Sequence, residues 1–243
     1  MALKVAKRGA VPPFIVMDVM RAASERERAG GDVLHLEVGQ PSTAAPARVV
    51  EAAKRALDAD RIGYTLALGL DVLRERIARD YRETYGAAVN PERVVVTTGS
   101  SGAFLLSFLS AFEPGDKVGI AAPGYPAYRN ILTALGVEPV MLPVGSETRF
   151  QPTVSVIAGL PLDGLIVASP SNPTGSMLPP EDFKALAEYC HAAGIRLISD
   201  EIYHGITYGM VARTAAGLSD SAFVVNSFSK YYSMTGWRLG WMV

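Results

Sequence analysis

The run RVVVTTGSSGAFLLSFLSAFEPGDKVGIA, positions 93–121, decides the fold. After Arg93 it opens on a continuous β-branched run, VVVTT at 94–98, which suits a strand covered on both faces better than one alternating between core and water. Gly99, Ser100, Ser101 and Gly102 break that run. An uncharged helical stretch follows at 101–112, and a Pro-Gly turn leads into a second apolar strand at 117–121. Strand, helix and strand in this order predict a parallel pair joined by a crossover.

Outward from this unit the pattern repeats. A helix is expected around 127–135 and a strand at 137–142. Short strands follow at 165–168, 196–199 and 223–226, with a helix at 181–191 between the first two of these. Positions 238–243 are another apolar, strand-like run. The fold class expected is α/β, a mostly parallel mixed sheet with helices on both faces. Upstream, helices are expected at 48–57 and 72–85. The second carries Leu73, Ile77 and Tyr81 on one face and stops at Gly86. VLHLEV at 33–38 reads as a strand entering a turn that begins at Gly39. No repeat, low-complexity segment or interdomain linker interrupts the chain.

Bulk properties narrow the function classes. Of 243 residues, 49% are hydrophobic, enough for a large core. A net charge of −1 with no charged run argues against long-range attraction to nucleic acid or an anionic membrane. The single cysteine, Cys190, excludes an internal disulfide and reads as a buried thiol. Pro12, Pro13 and Asp18 interrupt the N-terminal stretch where a signal peptide would need an apolar run, and no segment has the length to span a bilayer. A soluble cytoplasmic protein is expected. His35, His191 and His204 lack metal-ligand spacing, read as structural or surface residues, and imply no metal.

Ligands of open α/β sheets collect at the carboxyl ends of the strands. Here every such end is polar or glycine-rich. Ser100, Ser101 and Gly102 open a helix whose N-terminus suits a phosphate, or form an ordinary capped turn. Tyr125 follows the second strand as a packed ring or a stacking platform. Asn172 lies in a proline-flanked loop after the strand at 165–168. Asp200 closes the next, either as a cap or as an ion-pair partner, and Tyr203 stands three residues on. Ser227, Ser229 and Lys230 follow the last, with Arg238 close behind. Lys230 is flanked by apolar and hydroxyl residues, and a partly buried amine is more nucleophilic than a solvated one. Each feature alone has an unremarkable reading. Together they meet the needs of a pyridine aldehyde phosphate: an amine for the aldehyde, an acid for the ring nitrogen and a positive cradle for the phosphate.

SNPTG at 171–175, DEIY at 200–203 and SFSKYYSMTGWRLGW at 227–241 together resemble the class I/II (fold-type I) pyridoxal-phosphate-dependent aminotransferases, in order and in spacing. Gly39-Gln40-Pro41 and Gly63-Tyr64-Thr65 extend the resemblance over nearly the whole chain. It implies amino transfer between an amino acid and a 2-oxo acid, with pyridoxal 5'-phosphate as cofactor. Lys230 would be the Schiff-base lysine and proton shuttle, and Asp200 the partner of the pyridinium nitrogen. Tyr203 and Asn172 would bond the ring oxygen, and Tyr125 would stack on the ring. Ser100, Ser101, Gly102, Ser227, Ser229 and Arg238 would hold the phosphate. Gly39 and Asn172 would face the substrate. Tyr64 would reach the phosphate of a neighbouring subunit, implying a homodimer with shared sites.

The same resemblance assigns residues 1–45 to an N-terminal arm and the start of a small domain, and 46–243 to the cofactor-binding large domain. Family members run on past the position of Val243, where a long interdomain helix, most of the small domain and the arginine for the substrate carboxylate belong. A chain ending at Val243 is therefore expected to be truncated and a poor catalyst. Two other readings share the same residues: a lyase of the same fold, of the carbon–sulfur or cyclopropane-forming kind, and a non-catalytic cofactor-binding fragment. A DNA-binding regulator is disfavoured, because no helix-turn-helix segment or basic face is present.

Overall fold

The computed structural model describes residues 3–59 and 62–243. Seven strands, β1 (Val95–Thr97), β2 (Lys117–Ala121), β3 (Glu138–Leu142), β4 (Gly164–Ala168), β5 (Arg196–Asp200), β6 (Phe223–Ser227) and β7 (Gly240–Met242), form one sheet. Their order is β1-β7-β6-β5-β4-β2-β3. The block β3-β2-β4-β5-β6 is parallel. β7 runs antiparallel to both β6 and β1, and two reversals bring β1 back into the direction of the block. Thr97, Ala121, Ala168, Asp200 and Ser227 consequently end at one edge, where Gly240 begins β7. The expected mixed, mostly parallel sheet is present, with strand ends moved by a residue or two.

Seven α-helices accompany it among the described residues: α1 (Ile15–Arg28), α2 (Ala47–Asp58), α3 (Asp71–Tyr85), α4 (Gly99–Ala111), α5 (Pro126–Leu135), the single-turn α6 (Val154–Ile157) and α7 (Pro180–Ala192). α3 ends as expected. Gly86 adopts the left-handed conformation at φ 68°, and its N–H closes on the carbonyls of Arg82 and Tyr81. α1 was not expected, and none of its residues is buried, so no core-facing stripe marks it.

The strand expected at 33–38 does not form. The segment lies outside every strand, and Leu34 and Leu36 are 85% and 91% exposed. Apolar and polar residues alternate there, but no neighbouring strand pairs with the backbone, and pairing is what makes a strand.

Alternation along the buried strands sorts the core into two layers. Ile166, Ile198, Val225 and Met242 face Phe104, Phe108 and Leu132 of α4 and α5. Leu165, Val167, Leu197, Val224 and Trp241 face Ile77 and Tyr81 of α3 and Phe183, Leu186 and Cys190 of α7. Helices therefore cover both faces, each buried large side chain contributing about 1.5–3 kcal/mol. The period of two also sets the polar residues at the end of β5. Asp200 turns to the α4/α5 face, and Glu201 turns to the α3/α7 face.

Candidate active site

Asp200 sits at the end of β5 and is buried. Its Oδ1 accepts the N–H of Ile202 at 3.1 Å, and its Oδ2 accepts the hydroxyl of Tyr128. Burial pushes the carboxyl up to about 6, against the pull of those two hydrogen bonds. Among the described residues, no cation is one of the groups that shift it. Tyr128 was missed in the sequence. It lies one helical turn beyond Tyr125, and that i,i+3 spacing was the available signal.

Tyr125 is half-buried at the start of α5, with its ring edge-on to Tyr128 at 5.4 Å and to Phe14 at 5.9 Å between centroids. Burial raises its hydroxyl, Asp200 raises it further and Arg238 opposes, which puts the ring under the influence of both charges. Tyr203 is likewise raised by burial, then by Asp200 and Tyr125, and the side chain of Asn172 works against this through a hydrogen bond. Lys230 lies 6.0 Å from the Tyr203 ring centroid and donates from Nζ to the carbonyl of Gly39 at 2.6 Å. Burial, and then the nearby Arg238, lowers the lysine below its ordinary range. Thr43 bonds Ser233 at 2.7 Å, so the Gly39–Thr43 segment is tied to the lysine loop at both ends. A cleft of about 480 Å³ opens beside Asn172 and Tyr203, walled by Met177, Ile206 and Tyr208. Phe14 and the Thr43–Ser233 tie carry no sequence signal, since they are contacts across the fold.

An end whose groups suit an anion is built between β1, β7 and α4. α4 begins at Gly99, two residues earlier than expected, so Ser100, Ser101 and Gly102 form its first turn. Arg238 is left-handed at φ 51° and anchored by Nη1 to the carbonyl of Thr235 at 2.8 Å. Ser227 and Ser229 are buried beside it, the Ser227 hydroxyl accepting the Ser229 N–H at 3.1 Å. Gly99 has φ 74°, and a Cβ there would lie 2.5 Å from Nη2 of Arg238. The guanidinium thus rests against the helix start, where free N–H groups and the helix dipole already favour an anion. Gly99→Ala is expected to cost about 1–2 kcal/mol in stability from the left-handed backbone alone. It should also weaken phosphate binding by displacing Arg238. Urea unfolding and titration with inorganic phosphate check both, and a variant equal to the parent in each would contradict this packing.

One edge of the sheet thus brings together Gly39, Ser100, Ser101, Gly102, Tyr125, Asn172, Asp200, Tyr203, Ser227, Ser229, Lys230 and Arg238. Tyr64 is not among them, being fully solvent-exposed. Among the described residues, no group of His, Cys, Asp and Glu is arranged to hold a metal, and no helix is long and apolar enough to cross a membrane.

Comparison with known proteins supplies the family. Residues 31–243 match the family model described as aminotransferase class I and II. The chain is 54% identical to a valine–pyruvate aminotransferase of Mycobacterium tuberculosis, over 99% of this chain and 63% of that protein. A crystal structure of an aminotransferase from Mycobacterium tuberculosis superposes with a TM-score of 0.95 at 55% identity, covering 99% of this chain and 63% of that one. An aspartate aminotransferase from Thermus thermophilus with maleate gives 0.94 at 31% identity, covering 99% and 64%. The chain spans just under two thirds of the length of these relatives. With a family model covering most of its length and a buried acid, a half-buried lysine and an arginine-backed helix start meeting at one sheet edge, the chain belongs to the class I and II aminotransferases.

Proposed function

We propose that the chain carries the cofactor site of an aminotransferase that moves an amino group between an amino acid and a 2-oxo acid, with pyridoxal 5'-phosphate as cofactor. The observation that carries this is Asp200, a buried carboxyl with no cation beside it among the described residues, on the same edge as Lys230 and the Arg238-backed start of α4. That donor set fits pyridoxal phosphate. The acid lacks the positive partner a protonated ring nitrogen would be, and the helix start with Arg238 offers positive charge for a phosphate. When bound, the cofactor supplies an aldehyde for an amine and a ring that draws electrons from the bonds at the substrate α-carbon.

Lys230 would hold the aldehyde end through Nζ and would carry the α-proton on that same nitrogen. Its lowered pKa increases the neutral, basic fraction. The carbonyl of Gly39 supplies the acceptor that orients this amine. Asp200 keeps a proton on the ring nitrogen, and Tyr128 orients its carboxylate. Tyr203 and Asn172 would bond the ring oxygen, and Tyr125 would cover the ring face. The first-turn N–H groups with Ser100, Ser101 and Gly102, joined by Ser227, Ser229 and Arg238, take the phosphate.

Valine and pyruvate are the substrates to try first, being those of the 54% identical relative. A homodimer belongs to the same proposal. Tyr64 projects freely into solvent, and α4 presents Leu105, Leu106 and Leu109 outward, a face that a second copy would cover. We also assign residues 1–45 to the arm and the start of a small domain and 46–243 to the large domain, and place the protein in the cytoplasm.

The test is the visible spectrum of the protein loaded with pyridoxal phosphate beside Lys230→Ala. A band that requires Lys230, and that borohydride converts into a cofactor adduct on that residue by mass, is the expected result. A variant lacking the amine should also lose on the order of 10²–10⁴-fold in amino transfer. A parent-like band in Lys230→Ala would refute the assignment.

A further inference from the structure

His204 directly follows Tyr203, and its imidazole is only 6% exposed. Nε2 lies 3.1 Å from the carbonyl oxygen of Ser169, and Nδ1 lies 2.9 Å from the hydroxyl of Tyr85. A carbonyl only accepts, so the ring proton belongs on Nε2, which leaves Nδ1 to accept from Tyr85. The titratable groups around the ring are Tyr85 at the end of α3 and Glu201, whose Oε2 is 3.5 Å from Nδ1 and has no hydrogen-bond partner. The other oxygen of Glu201 accepts from Ser199, Thr214 and the N–H of Ala215. Burial lowers the imidazole to about 4 and raises the Glu201 carboxyl to about 7, so between those values the two meet as neutral groups rather than as an ion pair.

The acceptor of that Nε2–H matters. Ser169 follows β4 and heads the loop that carries Asn172, and its hydroxyl takes the N–H of Leu178 at the loop's far end. Tyr203 lies on a different loop, the one after β5. The bond from His204 to Ser169 therefore ties the two loops whose side chains meet at the site.

We propose that His204 is a positioning residue that locks the Asn172 loop against the Tyr203 loop through its Nε2–H, so that Asn172 and the Tyr203 hydroxyl converge on one point. The inference rests on the reading that those two groups bond the ring oxygen of pyridoxal phosphate. Hydrogen bonds to the deprotonated oxygen lower the pH at which the bound cofactor changes its absorption, and loosening either loop raises it.

The test uses the protein loaded with pyridoxal phosphate and follows the pH midpoint of its Lys230-dependent visible band. His204→Leu removes the tie and should raise the midpoint by about one pH unit, the order expected for losing one hydrogen bond. His204→Gln keeps an amide N–H within reach of Ser169 and should reverse most of that rise. A parent-like midpoint in the leucine variant, or a glutamine variant displaced as far as the leucine one, overturns the proposal. A second measurement needs no substitution at the site. The chain has three histidines, so nitrogen-15 spectra of the loaded protein, with His35→Asn and His191→Asn for assignment, isolate the His204 ring. A neutral ring protonated at Nε2 from about pH 5 to 8 is expected from its depressed pKa. A proton on Nδ1, or a cation, overturns the proposal even where His204→Leu does not fold. Absence of any Lys230-dependent band in the parent would instead defeat the cofactor reading, while the spectra would still report on the His204 bond.

Discussion

Asp200→Asn is expected to weaken pyridoxal phosphate binding by roughly 10²–10⁴-fold, the equivalent of breaking one buried charge pair worth about 3–5 kcal/mol. The asparagine amide is nearly isosteric with the carboxyl. Its oxygen can still accept the N–H of Ile202, as Oδ1 does at 3.1 Å, so the β5 end keeps its shape. What disappears is the negative charge that, on the proposed assignment, would face the ring nitrogen. Tyr128 is then left beside a neutral group, and nothing keeps the ring protonated. The carboxyl is raised to about 6 without the cofactor, chiefly by burial. A cationic ring nitrogen binds best to the ionised form, so affinity should fall as pH drops below about 6 in the parent and stay flat in the variant. Equilibrium dialysis against pH gives both numbers. An asparagine variant within about threefold of the parent, a difference of under 1 kcal/mol, would remove Asp200 from the site.

How far such a site is legible in sequence depends on the range of the interactions that build it. The strand ends were legible because continuous apolar runs such as VVV at 94–96 and LIVA at 165–168 mark buried parallel strands, and such strands carry ligands at one edge. From that alone the positions of Asp200, Lys230 and the α4 start follow. The hydroxyl that orients Asp200 was not read, although Tyr128 is only a turn from Tyr125. A tyrosine in a helix is most often core, and only the fold shows its oxygen meeting a carboxylate. His204 was read as a structural or surface residue, because the carbonyl it bonds lies 35 positions away in the chain. Phe14 reaches Tyr125 across a still longer separation. The segment 33–38 failed in the opposite way: it has a strand's pattern without a partner, and α1 formed just before it without burying any residue.

Glu201→Gln is expected to stabilise the cofactor-free protein in a pH-dependent manner, by about 3 kcal/mol more at pH 8 than at pH 4. Glu201 is almost wholly buried on the α3/α7 face, opposite Asp200, with no cation among the described residues that shift it. Burial raises its carboxyl from 4.5 to about 7, against the donors from Ala215, Thr214 and Ser199. A folded-state pKa above the unfolded value means the folded chain holds a proton that the unfolded chain has released. The contribution is therefore fully favourable below about 4.5 and is lost as pH rises through 7. Each pH unit between those two values corresponds to about 1.4 kcal/mol. Glutamine has no proton to lose. Its oxygen can replace Oε1 before the three donors, and its N–H₂ then points where Oε2 now faces Nδ1 of His204, an acceptor at 3.5 Å. A constant offset from altered packing is cancelled by comparing the two proteins across pH. Urea unfolding of both at pH 4, 6 and 8 supplies the comparison. Curves that stay parallel over that range would mean that Glu201 is ionised throughout in the folded protein, and that its free oxygen has found a donor. Diverging curves would mean that the folded protein holds this carboxyl as a neutral acid below about pH 7, on the face of β5 opposite Asp200.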